Sequence, residues 1–220
     1  MISRSIKETL VRLVTLLFGL TVAHFGVTLF LLADLETDPF NVMVQGIYRT
    51  LKGVLNLGII THGNIHIVMC LLIILLLLIV DKSYIKIGTV VCMLCGGPIL
   101  DFFTFLLSGL FKSEKPLLVS LLVQAVACVI LALGMTIVIK SDAGTGPNDL
   151  VSVVLSDKLK RKFGIVRIVT DALFVGIGFL LGGEVGIGTI ICVVLVGPVA
   201  GFFLTLSEKF VNWVLKIFKV

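Results

Sequence analysis

Apolar residues in this chain come in long blocks separated by short polar breaks. The blocks cover about 12–33, 64–81, 86–108, 117–139, 164–181 and 186–207, each near the roughly 20 residues that a helix needs to cross a hydrocarbon core of about 30 Å. The run from Val68 to Val80 holds one cysteine and no charge, and a helix apolar on every side faces lipid or other helices. Between the first two blocks the period changes. Phe40, Met43, Ile47, Leu51 and Val54 recur at threes and fours, which is one face of a short helix. Pro39 stands at its first position, where a missing N–H costs nothing, behind Asp38 as N-cap, and Pro147 behind Gly146 repeats the arrangement. The pattern predicts an all-α polytopic membrane protein: one membrane domain over 1–220, about six transmembrane helices and two short amphipathic or re-entrant helices. Residues 208–220 read as a short cytoplasmic amphipathic tail.

The blocks also repeat. Asp34, Thr37 and Pro39 recur as Asp142, Thr145 and Pro147, and IGTVVCMLCGGPILDFF from Ile87 recurs as IGTIICVVLVGPVAGFF from Ile187. The upstream pairs are offset by 108 and the downstream pairs by 100. Two copies follow, 10–111 and 116–207, each with three spans. An odd number of spans turns the second copy upside down, so the copies are expected to be inverted about an axis in the membrane plane. If the short helices also crossed there would be eight spans. The second short segment, however, is apolar only from Leu150 to Leu155 before SDKLKRK, too short to cross as a helix.

Composition agrees with this reading. The chain is 58% hydrophobic and 14% charged, with mean hydropathy +1.21, whereas soluble domains are about a quarter charged. With six spans and the N-terminus inside, most Lys and Arg residues, including Arg4, Arg12, Lys86, Lys140, Lys160, Arg161 and Lys216, fall on the cytoplasmic side. Arg49, Lys52, Lys112 and Lys115 fall outside, as does Glu114. This is the positive-inside bias, so the pI near 9 reflects orientation in a bacterial cytoplasmic membrane with both termini inside. It does not signal nucleic acid. The N-terminal apolar run is too long for a secretory signal and no small-x-small cleavage site follows it, so it reads as a retained span. The five cysteines all lie in expected spans, where they pack as small residues; the lone C-x-x-C at Cys92 and Cys95 lacks the further ligands of a metal site.

The strings TDPFN, GTGPND, RIVTDALFVGIGFLLGG, GIGT and GP, lying in blocks (a G/E-T-G/D-P turn with a short helix, then I-G-T, then G-P-x-x-x-F-F) that keep their order in both copies, resemble the YczE/YyaS/YitT family of bacterial membrane proteins over roughly residues 10–207. The resemblance implies a polytopic protein of the prokaryotic cytoplasmic membrane and carries no particular activity with it. Two departures stand out. Glu36 and Asp38 occupy the places of Gly144 and Gly146. The soluble C-terminal domain of YitT-type members has no counterpart in the short stretch after the last span, so the YczE-type branch is the better match.

No P-loop, dinucleotide fingerprint, H-E-x-x-H or G-x-S-x-G occurs, and the chain is expected to be neither an enzyme nor a cofactor or metal protein. Interest falls on polar groups inside spans, because a charge at the bilayer centre costs about 2.5–3.5 kcal/mol on insertion scales. Asp171 lies about two turns into the fifth span with Arg167 four residues earlier on the same face. Asp101, His24 and Gln124 are intramembrane groups whose counterparts in the other copy, Gly201, Ala132 and Leu16, are apolar. His66 corresponds to Arg167. Asn41, Asn148 and Asp149 stand in the first turns of the short helices, whose free N–H groups would meet a ligand if those helices dip into the membrane. Pro39, Pro147, Pro98, Pro198, Gly97 and Gly197 are candidate breaks or hinges. The reading is a small secondary transporter or permease of a cationic or zwitterionic substrate. The alternative is a non-transporting scaffold or regulator of a partner protein. Substrate, partner protein and oligomeric state are left open.

Overall fold

A computed structural model gives the fold and describes residues 5–36, 38–55, 61–111 and 116–220. Arg4, Thr37, Lys112, Glu114, Lys115 and the side chain of Val54 lie outside the described residues. The helices are α1 (Ile6–Ala33), α2 (Pro39–Leu55), α3 (His62–Asp81), α4 (Ile87–Leu106), a single turn α5 (Ser108–Phe111), α6 (Leu117–Ser141), α7 (Pro147–Leu159), α8 (Phe163–Leu180) and α9 (Ile187–Ile217). Of these, α1, α3, α4, α6, α8 and α9 are long and apolar enough to cross a membrane. The chain is a multi-pass all-α membrane protein in contact with the bilayer.

The centre is the antiparallel pair α1 and α6. Arg12 Nη1 donates to Ser141 O at 3.0 Å near one end. Further along, Gly19 abuts Gly134 and Ile137, and Gly26 abuts Ala127 and Leu131. A Cβ on Gly134 would stand 2.2 Å from Ala23 N, so only glycine lets the backbones approach this closely. Such contact supplies van der Waals energy where lipid offers no hydrophobic drive between helices.

Contacts recur with the two copies exchanged. Gly88 N donates to Ala143 O at 2.8 Å, and Gly188 N donates to Leu35 O at 2.9 Å. Arg49 reaches Glu184 at 2.7 Å, and Tyr84 reaches Asp157 at 3.1 Å. Thr50 donates to Leu181 O, and Lys158 pairs with Asp81 at 2.8 Å. Leu16 lies on Gly88 where Gln124 lies on Gly188. Each short helix therefore has its C-terminal end tied to the α3–α4 or α8–α9 turn of the other copy.

The breaks between long and short helices also match. Asp34 (φ 53°) and Asp142 (φ 56°) end α1 and α6 in the left-handed region, which Asp tolerates better than most residues. Gly144 (φ 145°) has no room for a side chain, since a Cβ would meet Thr89 N at 2.3 Å. Asp38 caps α2 as the sequence predicts, its Oδ1 accepting from Phe40 N at 3.1 Å and Asn41 N at 3.2 Å. The predicted face of α2 is buried: Phe40 and Met43 join Ile65, Ile73, Leu150 and Val154 in one apolar cluster, with Ile47 and Leu51 against it.

Residues 208–217 differ from the expected separate tail, because they continue α9. At 31 residues and about 1.5 Å per residue, α9 is longer than the hydrocarbon core. The extension is held by the Thr136–Ser207 hydroxyl pair at 2.8 Å, Lys140–Glu208 at 2.6 Å, and buried Val211 and Leu215.

Candidate functional site

The α7–α8 connection is a short turn. Lys160 takes a left-handed conformation, Ser156 Oγ donates to Arg161 O at 2.8 Å, and the Ser152 and Thr170 hydroxyls meet at 2.6 Å. This connection sets Asp149, in the first turn of α7, beside α8. Arg167 then bridges two carboxylates: Nε donates to Asp171 Oδ2 at 2.8 Å and Nη1 to Asp149 Oδ1 at 2.5 Å. Nη1 also lies 3.7 Å from Met135 Sδ of α6. The Arg167 and Asp171 side chains are 7% and 1% exposed, and Asp171 Oδ1 is buried with no hydrogen-bond partner. With both carboxylates ionised, the cluster carries one negative charge in excess. Removing charges from water costs several kcal/mol per ion, and mutual attraction returns it only with good geometry and satisfied lone pairs. One lone-pair set here is unsatisfied.

The equivalent contact in the first copy joins an amide to an imidazole. Asn41 corresponds to Asp149 and His66 to Arg167, and His66 Nδ1 lies 3.3 Å from Asn41 Oδ1. Asn41 Nδ2 donates to Asp38 Oδ2 at 2.5 Å. Phe40 meets the His66 ring edge-on at 5.3 Å and Phe174 of α8 at 5.5 Å.

The expected Arg167–Asp171 pair is thus present, and Asp149 joins it. Asn41 belongs to the matching contact. Asn148 is half-buried beside Gly146, and no hydrogen bond joins it to the cluster. The remaining intramembrane groups make no hydrogen bond to the cluster, although Asp149 lies within electrostatic reach of His24. His24 Nδ1 bonds Leu20 O of its own helix at 2.9 Å, and its Nε2 packs on Gly96, so it serves the α1–α4 contact. Gln124 Nε2 donates to Gly188 O at 3.0 Å and ties α6 to α9, leaving Oε1 buried without a partner. Asp101 is exposed on α4 and is not brought to the cluster. Helices α4 and α9 run unbroken through Pro98 and Pro198, while Pro39 and Pro147 are buried at the starts of α2 and α7. Gly97 and Gly197 differ: a Cβ on Gly97 meets nothing within 4 Å, while one on Gly197 would lie 2.5 Å from Gly164 O. Among the described residues, no three His, Cys, Asp or Glu side chains gather as a metal site.

A cavity of about 340 Å³ opens at the Lys86 end of the molecule, lined by both copies through Thr9, Arg12, Ile85, Lys86 and Asp142. The charged cluster does not line it. His66 was read from the sequence only as the counterpart of Arg167, not as a site residue. Its signal was its place opposite Arg167 in the repeat, combined with Asn41 opposite Asp149.

Comparison with known proteins places these residues in context. The model of a family of unknown function, DUF6198, matches residues 10–205. The uncharacterized membrane protein YczE of Bacillus subtilis is 25% identical over 94% of this chain and 92% of its own. The uncharacterized protein YyaS of the same organism is 23% identical over 87% of this chain and 91% of its own. An uncharacterized protein of Haemophilus influenzae is 23% identical over 88% of this chain and 84% of its own. No solved structure matches the chain.

Proposed function

We propose that this chain, which belongs to the DUF6198 family, is a small secondary transporter or permease rather than an enzyme, and that it moves a cationic or zwitterionic small molecule. The observation that carries the proposal is the buried Asp149–Arg167–Asp171 cluster, with two carboxylates to one guanidinium and the unpartnered Asp171 Oδ1. A structural ion pair needs one carboxylate per guanidinium. A second carboxylate, delivered by a separate short helix, suits a site that takes up positive charge. In this reading Asp149 meets the positive group of the substrate, Arg167 releases Asp149 when it does, and Asp171 holds Arg167 throughout.

The exchanged contacts and the antiparallel α1–α6 pair support two inverted halves related by a two-fold axis in the membrane plane. In such folds short helices end near the site and one half rocks against the other. The basic residues at the Lys86 end support placing that end, and both termini, on the cytoplasmic side of the plasma membrane.

A scaffold or regulator of a partner protein is the second reading. It is favoured by the cavity at the Lys86 end, which the charged cluster does not line, and by the packed apolar cluster of Phe30, Ala127, Met135, Phe163 and Val196. Asp149→Asn separates the two readings in cells and in vesicles containing the purified protein. A transporter keeps its protein level and loses uptake of radiolabelled amines or amino acids from a screened panel. Unchanged function in Asp149→Asn would remove the site assignment and favour the scaffold.

A further inference from the structure

The second half holds a permanent ion contact, Arg167–Asp149, where the first half holds His66–Asn41. We propose that His66 is a proton-binding site facing the Glu184 end of the molecule, and that Asp38 and Asn41 orient its imidazole so that Nε2 receives the proton. Naming this proton as the coupling ion rests on the transport reading above; its binding does not.

The argument runs through donors and acceptors. An ionised carboxylate can only accept, so the Asn41 amide nitrogen must face Asp38, as it does at 2.5 Å. The same carboxylate accepts Phe40 N and Asn41 N, which fixes it to the start of α2. Asn41 Oδ1 is thereby turned towards His66 Nδ1. That oxygen can only accept, so neutral His66 carries its hydrogen on Nδ1 and presents a lone pair at Nε2. Among the described residues, no hydrogen-bond partner faces Nε2. The 3.3 Å contact is long for a neutral pair, and a charged imidazolium would shorten it.

The charges that act on His66 are Asp38 and, one turn earlier on α3, His62. The Phe40 ring of α2 meets the imidazole edge-on, with Phe174 of α8 behind it against Phe40. His62, at the start of α3, is exposed while His66, one turn further in, is half-buried. Once bound, the proton makes the first half match the second: a cation on the crossing helix bonded to the first turn of a short helix.

The test is a pH titration of the purified protein in lipid nanodiscs with 15N-labelled histidine, followed by NMR. The chain has three histidines, and His66→Gln identifies the signal; if that variant does not fold, the shift caused by Asn41→Asp identifies it. The proposal expects an Nδ1–H tautomer at high pH and protonation of Nε2 on acidification. It also expects the midpoint to rise by about one pH unit in Asn41→Asp, which adds a carboxylate at hydrogen-bond distance, and to fall in Asp38→Asn. An Nε2–H tautomer, or a midpoint unmoved in both variants, would overturn it. The expected titration, found together with no pH-driven uptake in vesicles, would keep the proton site and remove the transport reading.

Discussion

Substitutions in the Asp149–Arg167–Asp171 cluster should follow an order set by charge balance rather than by the number of residues changed. Arg167 has carboxylate partners at 2.8 and 2.5 Å. With charge centres about 4 Å apart and an effective dielectric near 20, each attraction is about 4 kcal/mol before desolvation is subtracted. Arg167→Gln removes both attractions and leaves two carboxylates facing each other, one of them without solvent. Breaking a buried pair in this way typically costs about 3–5 kcal/mol, and this variant should sit at or above the top of that range. Asp171→Asn keeps the Arg167–Asp149 contact and should fall near the bottom of it. Asp149→Asn should cost least, because Asp149 is 21% exposed and water can replace part of what is lost. The double variant Arg167→Gln with Asp171→Asn should recover part of the loss, and the triple variant with Asp149→Asn more, since neither then leaves buried opposed charges. The measurement is the fraction of monodisperse protein that survives a heating series in detergent, read by size-exclusion chromatography. If the triple variant is less stable than Arg167→Gln, or the losses simply add, the three residues do not act as one charge-balanced unit and the site loses its electrostatic basis.

Three further outcomes follow from particular contacts. Gly197→Ala should lower thermal stability by about 1–3 kcal/mol, because its Cβ meets a backbone oxygen of α8, whereas Gly97→Ala should be neutral or stabilising by up to about 1 kcal/mol; equal effects in the same heating assay would contradict the packing. In a background without native cysteines, Glu184→Cys should react with an impermeant thiol reagent added to intact cells and Lys160→Cys should not, and labelling at position 160 would reverse the orientation. Asp101→Asn should leave protein level and uptake unchanged, since Asp101 is exposed on α4; lost uptake at normal level would bring α4 into the mechanism.

The spans and the starts of the short helices were legible because they depend on local facts: run length, a proline at the first turn, a carboxylate cap. The Arg167–Asp171 pair was legible for the same reason, being four residues apart on one helix. Asp149 could be named but not placed, because only the α7–α8 connection brings it towards Arg167. Gly97 and Gly197 read identically in the repeat, yet α9 packs on α8 through Gly164 while Gly97 faces open space, a difference that no local pattern carries. His24 and Gln124 looked like site residues because polar groups in spans are costly. Each instead bonds a backbone carbonyl at a helix contact, a partner that composition cannot reveal.

The crossed backbone bonds, Gly88 to Ala143 and Gly188 to Leu35, also govern how the protein is made. Synthesis delivers the first half well before the residues that complete it, and α2 finds much of its packing on α8, near the end of the chain. The early product is therefore an inserted but unfinished half, with the Gly88 amide and the α8-facing side of α2 awaiting partners not yet synthesised. The contacts between the copies can close only late in synthesis. The nascent chain is then most exposed to membrane proteases, and most in need of an insertase that holds it, in the interval between the emergence of α4 and that of α8.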